Sequence, residues 1–206
     1  MFGTGEIFIL FFVTLGPFKL LGPFAQQTSD LQPAALRGIA VRAFAVGLVA
    51  VIVGGAFGAA LAMKWRVSVP AIEIAAGLIL FLVAIRLVMA AYEPMPAPQP
   101  LPAAPMAATL RLTFPLVVSP YGIAALIALL AATDDPAMIR AIYVILIVVM
   151  ALNLLAMLYV RSIMRGPTLL VLQVLGSVLG VLQVALAVQI IIRGLRGLQV
   201  IPGLPT

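Results

Sequence analysis

The stretch LGPFKLLGPF, residues 15–24, interrupts an apolar run with two prolines, two glycines and a lysine. Pro17 and Pro23 each lack the amide donor that a helix needs, and each clashes with the carbonyl four residues back. Gly16 and Gly22 loosen the backbone beside them. Unpaired backbone groups are so costly in hydrocarbon that such a break survives only where it is buried or lines a cavity. We therefore predict a membrane-spanning helix that breaks near Pro17.

The rest of the chain has the composition of a membrane protein. Of its 206 residues 65% are hydrophobic and 9% are charged, whereas a soluble domain has about 25% charged residues. A membrane-spanning helix takes about 20 apolar residues, and the chain has room for six and little else. The apolar runs predict an all-α membrane protein, a single membrane domain over residues 1–206, with spans near 5–28, 38–62, 69–91, 107–131, 138–160 and 169–193.

Charge and residue content exclude several classes of function. The 12 Lys and Arg residues exceed the 6 Asp and Glu residues, but they are scattered at predicted helix ends, where basic residues anchor a protein to lipid headgroups. No nucleic acid is expected as a partner. The absence of Cys and His excludes thiol chemistry and most zinc sites, so we expect no metal and no cofactor. The spans hold no paired acids and no nucleophile constellation, so we expect no enzyme activity.

A proline-rich segment divides the chain into two parts. The sequence EPMPAPQPLPAAP, residues 93–105, contains six prolines, and proline at alternate positions favours a stiff polyproline II conformation. We predict a linker over residues 92–106 between a first three-helix repeat at 5–91 and a second at 107–195.

The two parts match each other without gaps at an offset of 103 residues. This offset aligns four pairs of identical residues that chance seldom matches: Pro17 with Pro120, Pro33 with Pro136, Arg37 with Arg140, and Gly77 with Gly180. A second copy of three spans enters the membrane from the opposite side, so the repeats are inverted, with both chain termini on one side of the membrane. Inverted repeats are the plan of many secondary transporters. The basic residues do not decide which side holds the termini.

The second repeat carries its own expected break, in PLVVSPYGI at residues 115–123. Half-helix N-termini offer N–H groups to an anion, and freed carbonyls offer acceptors to a cation, so a zwitterion suits both. The alternative to a solute site is that both breaks are ordinary proline kinks, which are common in membrane helices. The residues predicted to line a solute site are Gly16, Pro17, Lys19, Ser119, Pro120, Tyr121 and Gly122.

Two charged residues inside predicted spans stand out. A lysine at mid-membrane costs roughly 3 kcal/mol on an insertion scale, so Lys19 needs a partner or water. It either reaches toward the interface, binds a solute carboxylate, or pairs with Glu73. Glu73 lies about one turn into the third span; it is either an interfacial carboxylate or the group that couples transport to protons.

The quoted motifs and the six-span plan resemble the MarC/SnatA family of bacterial inner-membrane proteins over about residues 5–195. The resemblance implies a secondary transporter of small neutral amino acids such as glycine and alanine. The family pattern has Asp-Pro-x-Gly-Asn-x-Pro in the first half and Pro-Leu-x-x-Gly-Pro-Gly in the second. Here Pro17, Pro115, Leu116 and Pro120 match. The departures are Gly16 for the aspartate, Lys19 for the glycine, Leu20 for the asparagine, Pro23 one residue late, and Ser119 and Tyr121 for two glycines.

These observations predict a carrier that moves a small polar, amino-acid-like solute across a bacterial inner membrane. A lipid bilayer and a small-molecule substrate are the expected partners, and a proton or a sodium ion stays open as the coupling ion. Two other classes stay open as well: a channel-like pore or an exporter of another small metabolite, and a membrane scaffold that transports nothing. The sequence does not decide the substrate, the direction of transport or the oligomeric state.

Overall fold

The computed structural model describes residues 3–90, 101–102, 104–164 and 168–200. Within these residues the chain forms nine α-helices, one π-helical segment and no β-strand. The helices are α1 Thr4–Leu15, α2 Phe18–Gln27, α3 Pro33–Lys64, α4 Val69–Ala90, α5 Pro105–Leu112, α6 Pro120–Ala131, α7 Pro136–Leu158, α8 Val160–Ile163 and α9 Thr168–Gly197, and the π-helical segment is Thr113–Val117. The all-α class expected from the sequence is confirmed.

Five helical stretches are long and apolar enough to cross a membrane, and one bent pair makes a sixth. α1 and α2 together form the first stretch, Thr4–Gln27. The bent pair joins Pro105–Val117 to Pro120–Ala131 at an angle of 61°. Each of the six predicted spans overlaps one of these elements, so the chain is built to cross a membrane several times.

Proline sets the start of several helices. α3, α5, α6 and α7 each have proline in the first turn, where its missing N–H would have had no helical partner anyway. α5 begins at Pro105, within the segment 92–106 that the sequence predicts as a linker, and that division of the chain stays a prediction. Residues 91–100 and 103 lie outside the described residues, and the polyproline II conformation predicted for this segment falls largely there.

α4 and α9 pack against each other as antiparallel neighbours at close range. A Cβ atom added to Gly77 would lie 2.6 Å from Ile191 Cγ1, and one added to Gly180 would lie 3.3 Å from Val88 Cγ2. The 103-residue offset found in the sequence relates the two contacts, because it aligns Gly77 with Gly180 and Val88 with Ile191. This reciprocal contact supports the inverted repeat, which stays a prediction.

α1 packs one face into the helix bundle and leaves Phe8 and Ile9 exposed on the other. Ile7, Phe11 and Leu15 are fully buried in one apolar core with residues of α3, α6 and α7. Large apolar side chains on the outside show what surrounds the bundle: Val49, Val53 and Phe57 follow one face of α3 with 59–64% of their surface exposed. Such faces suit contact with lipid. The end of α1 at Leu15 is buried and so lies away from the lipid.

Candidate functional site

The first span breaks where the sequence predicted. α1 ends at Leu15, Gly16 has an extended backbone, and α2 begins at Phe18. Pro17 has no N–H to donate to the carbonyl of Val13, and the last carbonyls of any helix lack intrahelical donors. The break therefore leaves a cluster of backbone acceptors at the C-terminus of α1, which is the negative end of the helix dipole.

Polar side chains from three distant elements bind these acceptors. The donors and their carbonyl oxygens are Gln183 Nε2 to Val13 at 2.9 Å, Ser119 Oγ to Thr14 at 3.0 Å, and Asn153 Nδ2 to Leu15 at 2.5 Å. All three side chains are buried. Burial of an unbonded carbonyl costs about 1–3 kcal/mol, so these bonds allow the break to exist inside the bundle. The Asn153 and Gln183 bonds join α7 and α9 to α1.

The second break lies directly against the first. α6 starts at Pro120 with Ser119 as its N-cap, and the Ser119 hydroxyl accepts a bond from the Gly122 amide at 3.3 Å. Gly122 packs on α1 so closely that an added Cβ would overlap the side chain of Leu15. Since the N-terminus of a helix carries a partial positive charge, the positive end of α6 meets the negative end of α1 at this point.

Lys19 lies at the junction of the two breaks. Its Nζ donates to the Thr14 carbonyl at 2.6 Å and to the Tyr121 hydroxyl at 3.3 Å, and it lies 4.8 Å from the centre of the Tyr121 ring. A cation is favoured both at a helix C-terminus and over an aromatic face. The structure thus brings together Lys19, Ser119 and Tyr121, which the sequence had placed in one site.

Glu73 borders two cavities that adjoin each other. The inner cavity, about 30 Å³, reaches from Glu73 and Leu129 to Thr14 and Tyr121. The outer cavity, about 210 Å³, is lined by Glu73 together with polar groups that include Thr133, Asp135 and Arg193. Glu73 is buried and lies near enough to Arg193 for a Coulombic interaction. The lysine has Thr14 and Tyr121 as its hydrogen-bond partners, so the predicted Lys19–Glu73 pair is not the arrangement seen here.

The remaining predicted residues have backbone roles. Gly16 and Pro17 form the first break, and Pro120 and Gly122 begin α6. Sequence reasoning missed Thr14, whose carbonyl is the acceptor shared by Lys19 and Ser119. Among the described residues no group of three or more Asp or Glu side chains converges to hold a metal ion.

Comparison with known proteins identifies the class of this arrangement. A family model described as MarC family integral membrane protein matches residues 3–199, which is nearly the whole chain and includes both breaks. No curated protein and no solved structure matches the chain.

Proposed function

The chain belongs to the MarC family of integral membrane proteins, and we propose that it is a secondary carrier for a small amino-acid-like solute. It works by alternating access in a bacterial inner membrane, has both termini on one side, and has no enzyme activity. The observation that carries this proposal is the Lys19 ammonium beside Tyr121 where two broken helices meet. A charged group is costly inside a membrane, and such groups with discontinuous helices are typical of carrier sites.

The chemistry of the junction favours a carboxylate. The freed carbonyls of α1 already accept bonds from side chains of the protein itself. What remains for a ligand is the positive charge of Lys19, the hydroxyl of Tyr121 and the N-terminus of α6, which all favour a negative group. We therefore assign the solute's carboxylate to the space beside Lys19 and Tyr121.

Glu73 supplies the opposite charge at the other end of the inner cavity. The inner cavity touches both Glu73 and Tyr121, so a solute in it would have an acid at one end and a phenol near an ammonium at the other. This is the charge pattern that a zwitterion requires. Glu73 is also the group we assign to proton coupling.

The size of the inner cavity calls for movement. At about 30 Å³ it holds roughly two waters, since one water needs about 10–15 Å³ of cavity volume. Even glycine has five non-hydrogen atoms, so α6 or α4 must move to admit it. The two breaks divide their spans into short rigid pieces, and such pieces can tilt without unfolding a whole helix.

At the end of the bundle away from the outer cavity, one side chain links a short helix to a loop. α7 starts beside the outer cavity at Pro136 and ends at Leu158, about 34 Å away at 1.5 Å per residue. Just beyond, the Arg161 guanidinium donates to the carbonyl of Leu31 and joins α8 to the α2–α3 loop.

Counterflow in proteoliposomes tests the function. Labelled glycine, alanine and serine are each offered outside vesicles, with or without the unlabelled compound inside. A carrier gives saturable uptake that internal substrate accelerates. Uptake that neither saturates nor accelerates would identify a pore. No uptake above empty liposomes, for all three compounds and with protein shown to be folded, would contradict the proposal.

A further inference from the structure

The acceptors at the C-terminus of α1 have the composition of a monovalent-cation site. They comprise backbone carbonyls freed by a helix break, a hydroxyl and an aromatic face, and carriers coordinate sodium with unwound carbonyls and half-helix C-termini. In this chain the Lys19 ammonium bonds to the Thr14 carbonyl and the Tyr121 hydroxyl at the same place. The position a free cation would take is held by a side chain.

An unused acceptor nearby provides a second, independent observation. Asn153 is fully buried and its amide nitrogen donates to the carbonyl of Leu15, the residue after Thr14. Its Oδ1 atom has no hydrogen-bond partner among the residues that the structure describes. A buried acceptor without a donor is costly, so this oxygen is open to a positive group.

We propose that Lys19 is a tethered cation that fills a monovalent-cation site at the C-terminus of α1, so that this carrier needs no sodium there. The transport consequence rests on the proposed carrier function, whereas the site itself does not. Removal of the side chain leaves the Thr14 carbonyl and the Tyr121 hydroxyl without the ammonium that they now bind. A small free cation can then bind where the ammonium was.

Thermal unfolding of the purified protein tests the site directly. Lys19→Ala, the unaltered protein and Lys64→Ala are compared in choline chloride, sodium chloride and methylammonium chloride at equal concentration. Lys64 is the matched control because it is the other lysine of the chain and is exposed at the end of α3. Sodium or methylammonium should raise the midpoint of Lys19→Ala by about 3 °C over choline, and should leave the other two unchanged.

In the same assay, Lys19→Met distinguishes loss of the positive charge of Lys19 from loss of the volume that its side chain fills. Methionine is neutral but fills most of the volume of the lysine stem, so its midpoint should not respond to either cation. Folded Lys19→Ala that shows no cation response, or an equal response in the unaltered protein, would overturn the proposal.

Counterflow by the unaltered protein gives a measurement that needs no variant to fold. Exchange in sodium-free choline buffer should agree with exchange in sodium buffer within about twofold, because the resident ammonium occupies the site. Exchange that falls by tenfold or more without sodium would overturn the proposal. If the unaltered protein exchanges no solute in either buffer, the carrier function is contradicted, and the thermal measurement still decides the cation site.

Discussion

The Ser119 hydroxyl donates to the Thr14 carbonyl over 3.0 Å and so joins the N-terminus of α6 to the C-terminus of α1. The same oxygen accepts from the Gly122 amide at 3.3 Å, and a serine hydroxyl can do both at once because it has one donor and two lone pairs. The residues are 105 positions apart in the chain. Ser119 thus joins the two helix breaks, as Lys19 does through Thr14 and Tyr121.

Ser119→Ala should destabilise the protein by about 1–2 kcal/mol, because it removes an N-cap and leaves the Thr14 carbonyl with one donor fewer. The free energy of unfolding is measured by titrating the protein with a denaturing detergent. Ser29→Ala is the control: its hydroxyl also bonds to a carbonyl, at Gln26, but it is exposed. Equal effects of the two substitutions would show that the contact between the breaks adds nothing.

Gln183→Leu should cost about 1–3 kcal/mol of unfolding free energy, because the carbonyl of Val13 then stays buried without a donor. Gln189→Leu makes the same chemical change on an exposed position of the same helix and should be neutral or slightly stabilising in a membrane-facing environment. A neutral Gln183→Leu would mean that the Val13 carbonyl finds another partner.

Alanine at two glycines should act in opposite directions. At Gly77 the added Cβ would lie 2.6 Å from Ile191 Cγ1 and 3.0 Å from the Ala187 carbonyl oxygen, and since backbone cannot move aside cheaply we expect a loss of about 1–3 kcal/mol. At Gly38, inside α3, nothing lies within 4 Å, and alanine should stabilise the helix by about 1 kcal/mol. A midpoint of Gly77→Ala at or above that of the unaltered protein would contradict the close packing of α4 on α9.

Glu73→Gln should abolish the effect of a pH gradient on uptake, because glutamine cannot titrate. Part of the exchange measured in the absence of a gradient should remain, because glutamine keeps the shape of the side chain. Asp30→Asn, on an exposed acid away from both cavities, is the control and should respond to the gradient as the unaltered protein does. A gradient response that persists in Glu73→Gln would remove Glu73 from the coupling role.

The breaks could be predicted from the sequence because proline acts locally. Pro17 removes a specific hydrogen bond wherever it lies in a helix, and Pro120 after Ser119 is a recognisable helix start. The meeting of the two breaks could be expected only from the predicted repeat, in which an offset of 103 residues places Pro17 and Pro120 at matching positions.

The partners of the freed carbonyls could not be predicted. Asn153 and Gln183 were recognisable as polar groups that need a partner in an apolar span, but which carbonyl each one reaches depends on the rotation of α7 and α9 about their axes. Thr14 was missed for a similar reason: its function lies in a backbone oxygen, and any residue type at that position carries one. The direction of Lys19, toward Thr14 and Tyr121 and not toward Glu73, also follows from helix packing.

Passage of solute through the junction at Lys19 is tested by comparing Lys19→Met with Lys64→Met in counterflow at equal protein content. Both variants lose one positive charge, but only Lys19 bonds across the two breaks. We predict that Lys19→Met lowers exchange by about tenfold or more, the loss expected for a bond to a charged group, and that Lys64→Met exchanges at the unaltered rate. Unchanged exchange by folded Lys19→Met would contradict the account.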